Sequence, residues 1–115
     1  MNNQVKPLLD WKTFSAMDMR VGTIVSAEVF EKATRPAYVL NIDFGKLGIK
    51  KSSAQITGLY QPKDLIGQQV IAVVNFPPKQ IANIMSECLV LGVINKKDVT
   101  LLQPQQKVEN GLKIG

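Results

Sequence analysis

Histidine is absent from the 115 residues, and cysteine occurs once, as Cys88. Without His the chain lacks the commonest general base and the commonest zinc ligand, and one thiol can build neither a thiolate cage nor an internal disulfide. A Ser-His-Asp set and a Cys-His pair are both excluded, and the eight glycines never take the spacing of a phosphate-cradling loop before a helix. Carboxylates remain, but Asp10, Asp18, Asp43 and Asp64 each fall at a cap or a turn. No catalytic residue, metal or cofactor is therefore expected. The chain also lacks any run of roughly 18 apolar residues, and its start lacks the basic-then-apolar pattern of an export signal. A cytoplasmic protein with no membrane insertion is the expectation. Acidic residues are scarce, 9 against 14 Lys and Arg, and the formal charge of +5 favours a polyanionic partner while also serving solubility.

What the chain does contain is β-strand pattern, enough for one domain. Tyr38, Leu40, Ile42 and Phe44 alternate with polar residues and define a half-buried strand over 38–44. Before it, 20–30 is rich in Val, Thr and Ile, with Gly22 where a bent strand would need to approach a neighbour closely. Gly45 and Gly48 bracket a loop to a third strand over 49–56, which predicts a hairpin. Pro62 and Gly67 suit the first turn and the stop of a short helix within 58–67. The unbroken apolar run 70–74 reads as a central strand, 88–94 as a fifth and 99–103 as a sixth extended piece, with a final turn at Asn110-Gly111. Cys88 lies in the fifth run, where a small buried thiol is expected.

This pattern supports an all-β barrel or sandwich. Five even strands with a short helix between the third and fourth have the layout of a five-stranded oligonucleotide-binding (OB) Greek-key barrel. The barrel is expected over 18–94, between an N-terminal extension 1–17 and a C-terminal extension 95–115. The extensions carry Leu8, Leu9, Trp11, Phe14, Met17, Leu101, Leu102, Leu112 and Ile114. A monomer disfavours so large an apolar patch, so the extensions either cap the barrel or pair with a second copy, and a small barrel has little surface left to receive them. A homodimer through Leu8, Trp11, Phe14, Leu101, Leu102, Leu112 and Ile114 is the expectation.

The stretch 18–24, "DMRVGTI", resembles the opening strand of the tRNA-binding domains found free-standing and on aminoacyl-tRNA synthetases. "YQPKDLIG" followed by 70–75 is similar to their insertion and fourth strand. "DFGKLGIKKSSAQIT" and "VIAVVNFPPKQIA…SECLVLG" resemble the CsaA-type export-related chaperones, and that likeness runs from Asp18 through "NGLKIG". The resemblance implies a homodimer of OB barrels with both termini at the interface. It implies two clients, tRNA and unfolded or pre-export polypeptide. Asn75, Pro78, Lys79 and Ser86 stand where the wider family carries its Asn, Pro, basic residue and Ser. Asn75 and Ser86 could meet sugar or base edges and Lys79 a phosphate; alternatively Asn75 satisfies the strand end and Ser86 caps a turn.

Two departures weaken the RNA reading. Gln80 replaces a second basic residue, and Cys88 and Leu89 replace a Gly-Met pair. By contrast Phe76, Pro77, Pro78, Ile81, Ile84 and Met85 form an apolar lip suited to an extended peptide, unless the lip folds down as the barrel's own lid. Lys50 and Lys51 are consecutive on the third strand and so face opposite ways; one of them, with Ser53 and Gln55, makes a second contact line. Lys96-Lys97 reads as solvated charge, and Arg35 as a loop residue whose spacing supports no particular contact.

Overall fold

The structure, a computed structural model, describes residues 3–115. The first two residues of the expected N-terminal extension lie outside the described residues.

The framework is β1 (Met19–Val29), β2 (Tyr38–Asp43), β3 (Ile49–Ala54), β4 (Gln69–Val73) and β7 (Leu89–Val90), joined antiparallel in the order β3-β2-β1-β4-β7. β1 serves two partners. Its first half, Met19 to Thr23, pairs with β4, and from Thr23 onward it pairs with β2, with a register shift between Ile24 and Ser26. That one-residue bulge adds bend and twist, which lets the sheet curl into a nearly closed barrel. Gly22 stands just before the bulge, in the half of β1 that pairs with β4. A Cβ there would lie 2.6 Å from Ile42 Cγ2 and 2.7 Å from Phe44 Cε1, so only glycine lets β1 cross so near the core.

The alternation predicted for the second strand is observed. Tyr38, Leu40, Ile42 and Phe44 are all buried, with Ile24, Val70, Ala72 and Leu65 completing the core. The expected hairpin is present, with a 3-10 turn at Gly45–Leu47 between β2 and β3. So is the short helix, α2 (Pro62–Leu65), whose Pro62 occupies the first turn. Tyr60 and Tyr38 tie this segment down. Tyr38 Oη donates to the Tyr60 carbonyl at 2.6 Å, and Tyr60 Oη accepts the Leu101 N–H at 3.0 Å.

Three elements differ from expectation. The predicted fifth strand divides at Leu91: β7 stays with β4, whereas β8 (Gly92–Asn95) turns away to pair with β9 (Asp98–Leu101). Gly92 opens β8, and a Cβ there would lie 2.5 Å from Val99 Cγ1, so glycine permits the new pairing; hydrophobic periodicity alone does not register that break. The apolar lip is a hairpin of its own, β5 (Lys79–Ile81) with β6 (Ile84–Ser86). Finally, a short helix α1 (Trp11–Ser15) precedes the barrel, N-capped by Asp10, whose Oδ1 accepts the Thr13 N–H at 2.7 Å. The Thr13 side chain first, and then this backbone N–H, hold the Asp10 carboxyl below its usual pKa.

The C-terminal segment completes the body. Gly111 N–H donates to Val21 O at 2.7 Å, Val21 N–H to Leu112 O at 3.0 Å and Ile114 N–H to Met19 O at 2.8 Å, so it runs as an extra strand along β1. The approach needs Gly111, at φ +91, where a Cβ would meet the Phe44 carbonyl oxygen at 2.5 Å. Buried Gln69 locks the segment from the other side. Its Nε2 donates to Val108 O at 2.7 Å and Asn110 Oδ1 at 3.1 Å, while its Oε1 accepts the Val108 N–H.

Among the described residues no helix is long and apolar enough to cross a membrane. Leu8 and Trp11 are 102% and 83% exposed, so these two anchors do not cap their own barrel, whereas Leu101 packs partly against the core.

Candidate functional site: a groove where two strands part

β4 pairs with β7 through Val73 and Leu89, and β5 pairs with β6 through Lys79 and Ser86. Between these two registers stand residues 74–78 on one side and only Glu87 and Cys88 on the other. The surplus chain must bow outward. Pro77 and Pro78 have no N–H to donate, so the ladder cannot run on across them. Under the bow lies a groove of about 700 Å³, walled by Phe76, Pro77, Pro78, Lys79 and Leu89 and reaching Ser53 on β3. Phe76 and Leu89 are 52% and 49% exposed there.

The far side of the groove is held to β3 by one backbone bond and two side-chain bonds in place of a strand ladder. Glu87 N–H donates to Lys51 O at 2.7 Å, Glu87 Oε1 accepts the Lys51 N–H at 3.0 Å, and Ser86 Oγ accepts the Ser53 N–H at 3.2 Å. This closes the gap between β3 and β7. Cys88 is buried just behind, as expected, and burial, helped by the Glu87 carboxylate, pushes its thiol up to about 11, with Lys50 pulling the other way.

Register places the remaining candidates. Val39 faces Ser53 and Asn41 faces Lys51 across β2 and β3, and Asn41 Nδ2 donates to Ser26 Oγ at 2.7 Å, so Lys51 and Ser53 share the outer face. Lys50 follows buried Ser52 and Ala54 on the opposite face, at the end of the barrel near Cys88. The two lysines do point opposite ways. Ser53 also borders a second cavity of about 310 Å³ with Thr34, Arg35, Gln55, Ile81 and Ala82. Lys51 borders a third, of about 540 Å³, with Glu28, Glu31, Lys32 and Asn83.

Asn75 stands apart from the groove. Its Oδ1 accepts the Asp18 N–H at 2.9 Å and its Nδ2 donates to Ala16 O at 2.7 Å, so both ends of the amide clip the segment that carries α1. Beside it Arg20 Nε meets Asp18 Oδ1 at 2.5 Å and Arg20 Nη1 donates to Gly111 O at 3.0 Å. The guanidinium holds the Asp18 carboxyl below its usual range. Ser53, Phe76, Lys79, Ser86 and Leu89 thus meet in one groove. Gln55 and Lys51 border its neighbours, and Asn75 lies in the knot joining the two ends of the chain. Glu87, which fixes the groove wall, carried no pattern in the sequence; Arg35 needed the first hairpin to fold before its proximity to Gln55 could be seen.

A curled five-stranded barrel with a groove beside its β2–β3 face is an OB-type binding module. Residues 19–113 match the family described as a putative tRNA binding domain, and the chain belongs to that family, in its CsaA-type branch. The solved CsaA chaperone of Bacillus anthracis str. Ames is 53% identical with a TM-score of 0.91, covering 95% of this chain and 100% of that one. The CsaA chaperone protein of Picrophilus torridus is 50% identical with a TM-score of 0.89, covering 94% and 100%. The methionine–tRNA ligase of Methanococcoides burtonii is 33% identical over 107 residues, 92% of this chain but 16% of the ligase. The chain therefore matches only a small part of the length of such ligases.

Proposed function

We propose that the chain is a chaperone module of the cytoplasm that holds unfolded or pre-export polypeptides in the grooves of a homodimer and catalyses no bond chemistry. The observation that carries this reading is the groove under the 74–78 bow, whose exposed Phe76 and Leu89 and two prolines present apolar surface to an extended chain. Its likeness to two solved CsaA chaperones supports the same class of client. Homodimerisation would cover Leu8, Trp11, Phe14, Leu102 and Leu112, with Leu101 and Ile114 at the margin. Contacts with the client are assigned to Phe76, Leu89, Lys79, Ser53 and Ser86, with Lys50, Lys51 and Gln55 flanking them.

A second client, tRNA, is supported by the family match and by the surplus of basic residues, of which only Arg20 is in an ion pair among the described residues. Titrating the protein with tRNA and with a denatured protein at two salt concentrations separates the two. Polypeptide capture should be nearly flat with salt and carry a negative heat-capacity change. For tRNA the logarithm of the binding constant should fall with that of salt by about 0.7 to 0.9 per phosphate engaged. Failure of the denatured protein to bind at either salt would overturn the polypeptide reading.

A further inference from the structure

The groove beside Phe76 and the cavity beside Arg35 share Ser53 and Ile81 in their walls, so they form one trough, following the chain from Phe76 to Ala82 past the whole of β5. Its ends differ. Phe76 and Leu89 make one end apolar, while Thr34, Arg35 and Gln55 make the other polar. Arg35 is exposed and has no hydrogen bond or ion pair among the described residues. β5 pairs only with β6, and its backbone makes no hydrogen bond outside that hairpin. In an antiparallel pair alternate residues aim their N–H and C=O groups away from the partner, so the outer edge of β5 offers an unused donor and acceptor beside the trough.

We propose that the trough takes one extended stretch of polypeptide, added as a strand along β5, with apolar side chains against Phe76 and Leu89 and a carboxylate at Arg35. This rests on the polypeptide reading above and gives it a direction and a sequence preference. A strand edge selects a partner with its own amide ladder, which a nucleic acid lacks. A strand rises about 3.3 Å per residue, so a ligand spanning three-residue β5 should carry its acid roughly four residues from its apolar pair.

The test uses a ten-residue peptide with two leucines two residues apart and an aspartate four residues beyond the second, all on one strand face, its asparagine twin, and versions N-methylated on alternate residues in the two possible phases. Titration calorimetry is run on the full chain and on Arg35→Gln, whose fold circular dichroism checks. The aspartate peptide should bind about tenfold tighter than its twin to the unaltered chain and equally to Arg35→Gln. One phase of N-methylation should abolish binding and the other leave it unchanged. Equal affinity for aspartate and asparagine peptides, or indifference to both phases, would overturn the proposal. So would silence from every peptide while a denatured protein still binds, which leaves the polypeptide reading standing. If the denatured protein fails to bind as well, that reading falls with it.

Discussion

Asn75 has a side chain able to serve either a ligand or the backbone, and both its donor and its acceptor are engaged by Ala16 and Asp18. Asn75→Ala removes two exposed hydrogen bonds, and urea denaturation should show a loss of about 1 kcal/mol. On the proposed function, affinity for a denatured protein should change little. Cys88 shows a different residue-scale effect. Its folded thiol ionises near 11 against 9.0 ordinarily, because burial penalises the thiolate. The folded state therefore holds this proton more tightly, its contribution is full below pH 9.0, and it is lost as pH rises toward about 11. Cys88→Ala should flatten that part of the stability-against-pH curve, and a thiol reagent at pH 8 should label the native chain at least tenfold more slowly than the urea-unfolded one.

The strands depend on close approach more than on propensity. On β1, Gly22→Ala would drive a methyl into Ile42 and Phe44, and overpacking of this kind should cost about 3 kcal/mol in chemical denaturation. The C-terminal segment leans on the buried Gln69 amide as well as on its backbone bonds to β1. Gln69→Ala leaves the Val108 N–H and C=O without their partner, so the expected loss is about 2 kcal/mol. Hydrogen exchange should locate that loss, with faster exchange at Gly111 and Ile114 and none at β2. The β5–β6 hairpin was not visible as such. Its strands have three residues each, and Ala82 at φ 49 opens a turn for which alanine is no signal.

Across the whole molecule the two extensions leave apolar surface exposed at Leu8, Leu9, Trp11, Leu102 and Leu112. Trp11 and Phe14 lie edge to face with centroids 6.4 Å apart on α1, and Trp11 remains 83% exposed. Exposed aromatics of this kind anchor interfaces. Trp11→Asp should leave the circular dichroism spectrum unchanged and raise the dimer dissociation constant about tenfold or more in sedimentation. Sedimentation of the unaltered chain as a monomer at micromolar concentration would remove the paired-groove reading.

The alternation at 38–44, the glycine at 22, the short helix opening at Pro62 and the buried Cys88 could all be read from order alone, because each expresses a local rule: side chains on a strand alternate, and turns and helix starts need particular residues. Within 75–81, "NFPPKQI", Pro77 and Pro78 lack the N–H that a continuing ladder would need, which is a local rule of the same kind. Their order could not say how wide the break in the ladder would be. That depended on two registers, Val73 with Leu89 and Lys79 with Ser86, set by pairings between distant parts of the chain. The same long-range pairing parted Asn75 from Lys79, brought Arg35 beside Gln55 and laid the C-terminal residues along β1. Local chemistry named the pieces, and the closing of the barrel, which trades chain entropy for buried core and paired backbone, determined which of them meet.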